Sequence, residues 1–183
     1  MRKVEKGASL VEVSLVLPIL LALAIGLAEI GFLVIDYVTV TNAARSGART
    51  GATLGPDDVN DATLLGVVEE DLCNLEFGDV EVVRVFLPNA DGSMSSFQNN
   101  YTPSGALNCD APAHVFVCSP AEGGCNWPAA SRNNEPPSNF DRIGVRIEFR
   151  HNYVTNFLPF PDVVFDETAV MQIEPDTSVG IGS

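Results

Sequence analysis

"GASLVEVSLVLPILLALAIGLAEIGFLVIDYVTVTNAARSGART", Gly7 to Thr50, is the stretch that decides the fold. No residue from Val13 to Ala28 is charged. With Glu12 and Glu29 tolerated near its ends, the apolar run extends from Ala8 to Ile35, longer than the roughly 20 residues needed to span a bilayer. Arg2, Lys3 and Lys6 stand just before it. The positive-inside rule therefore keeps the N-terminus cytoplasmic and puts everything after about Tyr37 outside. Pro18 lies inside the run, where a membrane helix tolerates proline better than a soluble one does. Beyond the run, Ala43, Ala44, Gly47 and Ala48 are small and helically spaced, so another element can approach closely. Arg45 and Arg49 share one face. One helix is expected from Leu10 to about Thr50, broken near Gly55 and Pro56. From Ala8 it would be roughly 65 Å long at 1.5 Å per residue.

The rest of the 183-residue chain reads as one α+β domain. Asp57 or Asp58 is placed to cap a second helix running to about Cys73, with Leu64, Val67, Val68 and Leu72 as its apolar stripe. Val80–Leu87 is a nearly all-apolar strand. Arg142–Arg150 alternates, with Ile143, Val145, Ile147 and Phe149 on one face and arginines on the other. Glu167–Pro175 is the last candidate strand, with Ala169, Met171 and Ile173 facing one way. Residues 89–139 form a Cys-bearing excursion rich in Asn, Ser, Gly and Pro, in which only Ala113–Ser119 looks like a strand. Asn100 opens an Asn-x-Thr pattern, a weak glycosylation signal. The expected organisation is a leader at 1–7, a transmembrane helix at 8–36, its extracytoplasmic continuation at 37–55, and a domain at 56–183. The fold class is α+β: a long transmembrane helix packed on a small antiparallel sheet, with a second helix beside it.

Composition narrows function by exclusion. The formal net charge is −14, which argues against nucleic acid as a partner. His114 and His151 are the only histidines, and both read as strand residues. There is no Gly-rich phosphate loop, nucleophile elbow or Cys-x-x-Cys, so no enzyme and no cofactor is expected. Cys109, Cys118, Cys125 and His114 have zinc-ligand chemistry but match no zinc-module spacing. Cys73, Cys109, Cys118 and Cys125 are an even set in the part expected to be exported, so disulfides are expected and no metal. Of the three possible connectivities, Cys73–Cys109 with Cys118–Cys125 is favoured. The Arg142, Arg146 and Arg150 face is read as solvated and paired with carboxylates.

Glu12 is the residue that composition leaves unexplained, because an acid within a bilayer-length helix is costly. "KGASLVEV" resembles a type IV prepilin processing site: a glycine after basic residues, a hydrophobic helix that stays in the mature protein, and a glutamate fifth after the cut. The whole stretch is similar to the N-terminal signature of the TadE-like pseudopilins of tight-adherence pili. Gly7, Val11, Glu12, Pro18, Glu29, Gly31, Asn42, Ala43, Ala44, Arg45, Gly47, Ala48 and Arg49 fit in register, over about a quarter of the chain. Val13, where an aromatic is common, and Thr41, where a glutamine is frequent, depart from the pattern. "ETAVMQIEP" resembles the family's closing strand more weakly.

The resemblance implies a minor pilin or pseudopilin, cut by prepilin peptidase between Gly7 and Ala8. It would be held single-pass in the bacterial inner membrane with its domain outside. Its partners would be other pilin subunits and the tight-adherence machinery. The freed amine at Ala8 would be a cation, with a pKa of about 7.7–8, and Glu12 of a neighbouring helix could pair with it during assembly. Glu29, with no such amine nearby, would sit at the outer interface on the face of Asp36, and its substitution would be milder. Two alternatives remain: an extracytoplasmic binding protein on an uncleaved anchor, and a secreted factor cut after Ala28. Their mature N-termini differ: Ala8, Met1 or Glu29.

Overall fold

The computed structural model describes residues 5–75, 77–107, 109, 115–120, 124–135, 140–155 and 162–175. His114 lies outside them, as does the side chain of Ala8. Helix α1 (Glu5–Leu54) runs 50 residues and continues through Pro18. It ends where Gly55 turns to φ +56° and donates its N–H to Gly51 O at 3.1 Å, a left-handed stop that glycine adopts without a Cβ clash. Helix α2 (Asn60–Leu72) follows. Its expected aspartate cap is absent: Val59 occupies the N-cap, and the Asp57 carboxylate accepts the Val59 N–H at 3.1 Å, before the helix begins. Asn60 instead ties the α1–α2 corner together, donating its side-chain amide to the carbonyls of Gly51 and Gly55.

Five strands form one antiparallel sheet in the order β3-β2-β1-β4-β5. They are β1 (Gly78–Pro88), β2 (Met94–Pro103), β3 (Phe116–Cys118), β4 (Arg142–His151) and β5 (Val163–Gln172). Val83 pairs with Ile147 and Val85 with Val145, which puts their side chains on one buried face. The helices cover that face, and Leu64, Val68 and Leu72 of α2 join the same core as Val40, Ala43, Ala44 and Ala48 of α1. Each fully buried Leu or Val contributes roughly 1.5–3 kcal/mol. The small residues of α1 allow this closeness: a Cβ built at Gly47 would lie 2.6 Å from Val68, and one at Gly51 would lie 2.6 Å from Ile143 and 2.7 Å from Leu64.

Strand β2 lies inside the stretch read from sequence as irregular. Its sequence, MSSFQNNYTP, lacks an apolar alternation, yet Asn99 and Asn100 are buried. Asn99 satisfies itself with Asp61 at 2.8 Å, Trp127 O at 2.7 Å and Trp127 N at 2.9 Å. Strand β5 also begins four residues before the expected Glu167.

Candidate functional site

Helix α1 has two unlike halves. From Leu10 to Leu27 its large apolar side chains are exposed, apart from the half-buried Ile25, with Leu10 72% and Leu27 70% accessible. Glu12 is exposed among them, beside Val13, Val16, Leu17 and Leu20. From Glu29 upward, one stripe of the helix turns inward. Gly7 lies in the first turns of α1, so the proposed processing bond falls on the same continuous helix.

The acids that sequence reasoning could not place are the joints between helix and domain. Glu29 is buried and accepts three hydrogen bonds: Val154 N–H at 3.1 Å, Thr155 N–H at 2.7 Å and Thr155 Oγ1 at 2.5 Å. Asp36, seven residues on and therefore on nearly the same face, is fully buried against His151, with Oδ2 2.7 Å from Nδ1. Between them Phe32 stacks on Phe77 at 4.5 Å in a tilted pair. The sequence places Glu29 at the outer interface on the face of Asp36, with no partner in view; in the folded chain Glu29, Phe32 and Asp36 are held by the domain. His151, read as an unremarkable strand end, closes the second joint. The sequence signal was the seven-residue spacing of two acids on one helix, without any sign of what they meet.

The excursion is fastened to α2. Cys73 pairs with Cys109, and Cys118 with Cys125. Asp61 binds Arg132, Asn99 and the hydroxyl of Tyr101 at 2.6 Å, and burial with this carboxylate pushes the Tyr101 phenol far up. The Arg132 guanidinium lies 4.5 Å over Trp127. Asn100 is fully buried, so its Asn-x-Thr pattern is closed to a glycosylating enzyme in the folded state. Among the described residues no His, Cys, Asp or Glu cluster could hold a metal.

Of the strand arginines, Arg146 meets Asp166 at 2.9 Å, Arg150 meets Glu81, and Arg142 donates to Asn89 O. Arg146 and Arg150 are paired with carboxylates, as the carboxylate-rich composition suggests, whereas Arg142 holds a backbone carbonyl. The Cys73–Cys109 bridge closes a separation of 36 residues, worth about 4 kcal/mol in chain entropy. The double variant Cys73→Ser/Cys109→Ser should lose most of that in denaturant unfolding, and unreduced mass mapping of exported protein should return both linked peptide pairs. Four alkylatable thiols would contradict this.

Residues 7–49 match the family model described as TadE-like protein. No curated protein and no solved structure matches the chain. The matched segment covers the exposed half of α1, both acidic joints, Arg45 and Arg49, and stops before α2 and the sheet. Over these residues the N-terminal helix is similar to that of TadE-like proteins.

Proposed function

We propose that this TadE-like chain is a membrane-anchored pseudopilin, a structural or assembly subunit of a tight-adherence pilus, processed after Gly7. One observation carries the reading: a single helix leaves its lower, mostly apolar half exposed, while its upper half packs into the core of a disulfide-bridged domain. A soluble protein does not leave so long an apolar helix uncovered. The bilayer boundary falls lower than the 8–36 span expected from hydropathy, because a helix gripped by a domain at Glu29 cannot be surrounded by lipid there. Ala8 to Ala28 covers about 31 Å at 1.5 Å per residue, close to the roughly 30 Å of a hydrocarbon core. The domain then stands directly on the membrane.

Glu12 lies about one turn inside the cytoplasmic edge, exposed toward whatever packs beside the helix. Cleavage at Gly7 gives each subunit a cationic amine at Ala8. A neighbour's Glu12 can neutralise it where the low dielectric makes the pairing strong. Sequencing the mature N-terminus tests the proposal. Ala8 first supports it, while Met1 would favour the uncleaved anchored binding protein and Glu29 a secreted form. Gly7→Glu should abolish cleavage and leave insertion intact, since the apolar run is untouched. A variant that still begins at Ala8 would remove the peptidase assignment.

A further inference from the structure

Below the domain, helix α1 is not evenly bare. Within residues 9–28 only Ala22, Ile25 and Gly26 are half-buried. They precede Glu29 by seven, four and three residues, the spacings that share one side of a helix. Ile25 decides the point, since every other large apolar side chain from Leu10 to Leu27 is exposed. Leu23 and Leu27, on the far side, are 60% and 70% exposed. The domain therefore comes down the Glu29 side of the helix to the level of Ile25, about 6 Å below Glu29 at 1.5 Å per residue.

The segment that descends there is the exit from β4. Glu29 accepts the N–H groups of Val154 and Thr155 at 3.1 and 2.7 Å. A helical side chain leans toward the N-terminus and covers the turn below its own Cα. The Glu29 carboxylate, and with it the backbone of Val154 and Thr155, thus lies level with residues 25–28, at the top of the proposed span and not above it. Val154 is 46% exposed at that level. Tyr153, half-buried beside it, sets its ring edge-on to His151 at 5.4 Å. The charged groups at this end of the sheet stand higher. His151 meets Asp36, which is about 10 Å above Glu29 along the helix. Asp79 and Arg150 pair one step further up the strands, and Asp162 adjoins Val163, the partner of His151. Residues 152–161 carry no charge in a chain of formal net charge −14, so no ionised group has to follow Val154 toward lipid.

We propose that the tip formed by Tyr153 and Val154 enters the outer leaflet, with Val154 at the headgroup end of the acyl chains and Tyr153 at headgroup level. This rests on the anchored reading above, which supplies the bilayer and its height. The lipid-facing surface is then continuous from Leu27 of α1 to Val154. A tyrosine beside an aliphatic residue suits that boundary, where rings with one polar atom collect. The tip's backbone is prepared for it as well: the N–H groups of Val154 and Thr155 already have Glu29 as acceptor, so leaving water does not strand them. A domain held by the helix alone is free to tilt, whereas helix and tip together fix its tilt on the membrane.

The test attaches a nitroxide through Val154→Cys, Val170→Cys or Leu23→Cys in the full-length, disulfide-bonded chain, reconstituted in phosphatidylethanolamine–phosphatidylglycerol vesicles. Collisions with oxygen, which concentrates in lipid, are compared with collisions with a water-soluble nickel chelate. Val170 is a control of like kind, an exposed valine paired with Gly144. It lies near the level of Gly51, whose Cβ would touch Ile143, about 33 Å above Glu29. The oxygen-to-nickel ratio at Val154 should exceed that at Val170 by at least about threefold and approach that at Leu23, as shallow interfacial burial requires. A ratio at Val154 no higher than at Val170, with Leu23 in lipid, would overturn the inference and leave the anchored reading standing. Low collision with both reagents at Val154 would also overturn it, because protein and not lipid would then cover the tip. A water-exposed Leu23 would sink the anchored reading itself, and with it the bilayer that this contact needs.

Discussion

Asp36→Ala should destabilise the domain by about 1–3 kcal/mol, the cost of leaving a buried polar group without its hydrogen-bond partner. Asp36 and His151 are both fully buried, and Nδ1 has the aspartate oxygen as its partner. His151 Nε2 already has no partner among the described residues, so truncating Asp36 leaves a buried imidazole with none of them at either nitrogen. The cavity adds to the loss. Asp36→Asn separates the causes: it keeps a polar group within reach of the ring and should cost about 1–2 kcal/mol less than the alanine. Denaturant unfolding of detergent-solubilised protein, followed by near-UV signals from Trp127, measures both. Since these small domains hold only roughly 5–15 kcal/mol in total, the alanine variant should also accumulate poorly in cells. Equal midpoints for wild type and Asp36→Ala would show that the joint contributes nothing to the fold.

That joint marks where sequence reading stops. Helix α1 was legible because its long apolar run and its small-residue stripe are local patterns. Strand β4 was legible because Ile143, Val145, Ile147 and Phe149 alternate with polar neighbours. The α+β class follows from those two elements and α2. Asp36 and His151 lie 115 residues apart, and Glu29 lies 126 from Thr155. A buried acid looks like a solvated one until the fold supplies its donor. Strand β2 was hidden for the same reason in reverse: Asn99 and Asn100 sit at interior positions where a pattern search expects apolar residues, and hydrogen bonds stand in for the missing hydrophobicity. The proposed boundary at Ala28 shares this origin, because hydropathy counts Ile30 to Ile35 as membrane without seeing that Phe77 and Thr155 reach down beside them.

Glu12→Gln and Glu29→Gln should fail in different ways. The sequence alone makes Glu29 the milder site, since no processed amine lies near it. The folded chain reverses that for stability. Glu29 receives three donors, two backbone N–H groups and the Thr155 hydroxyl. A glutamine has one oxygen to offer them, and its amide turns hydrogens toward hydrogens. Loss of about 1–3 kcal/mol is expected, with residues 153–155 loosening from the helix and the domain losing its fixed seat at the membrane. Glu12 has no such work within the subunit. It is exposed, with Val13, Val16, Leu17 and Leu20 around it, so Glu12→Gln should leave the unfolding midpoint unchanged. Insertion should be slightly easier, since less polarity enters the bilayer, and cleavage after Gly7 should proceed. What should fall is recovery of the processed chain with the pilus machinery, because the Ala8 amine of a neighbour then enters a low-dielectric contact without its counter-charge. Two measurements on the same three proteins decide the matter: unfolding midpoint and crosslinked recovery with the assembly. The expected result is a stability loss confined to Glu29→Gln and an assembly loss at normal stability for Glu12→Gln. Undiminished recovery of Glu12→Gln would leave its glutamate an interfacial residue that hydrates itself, and would remove the pairing from the proposed function.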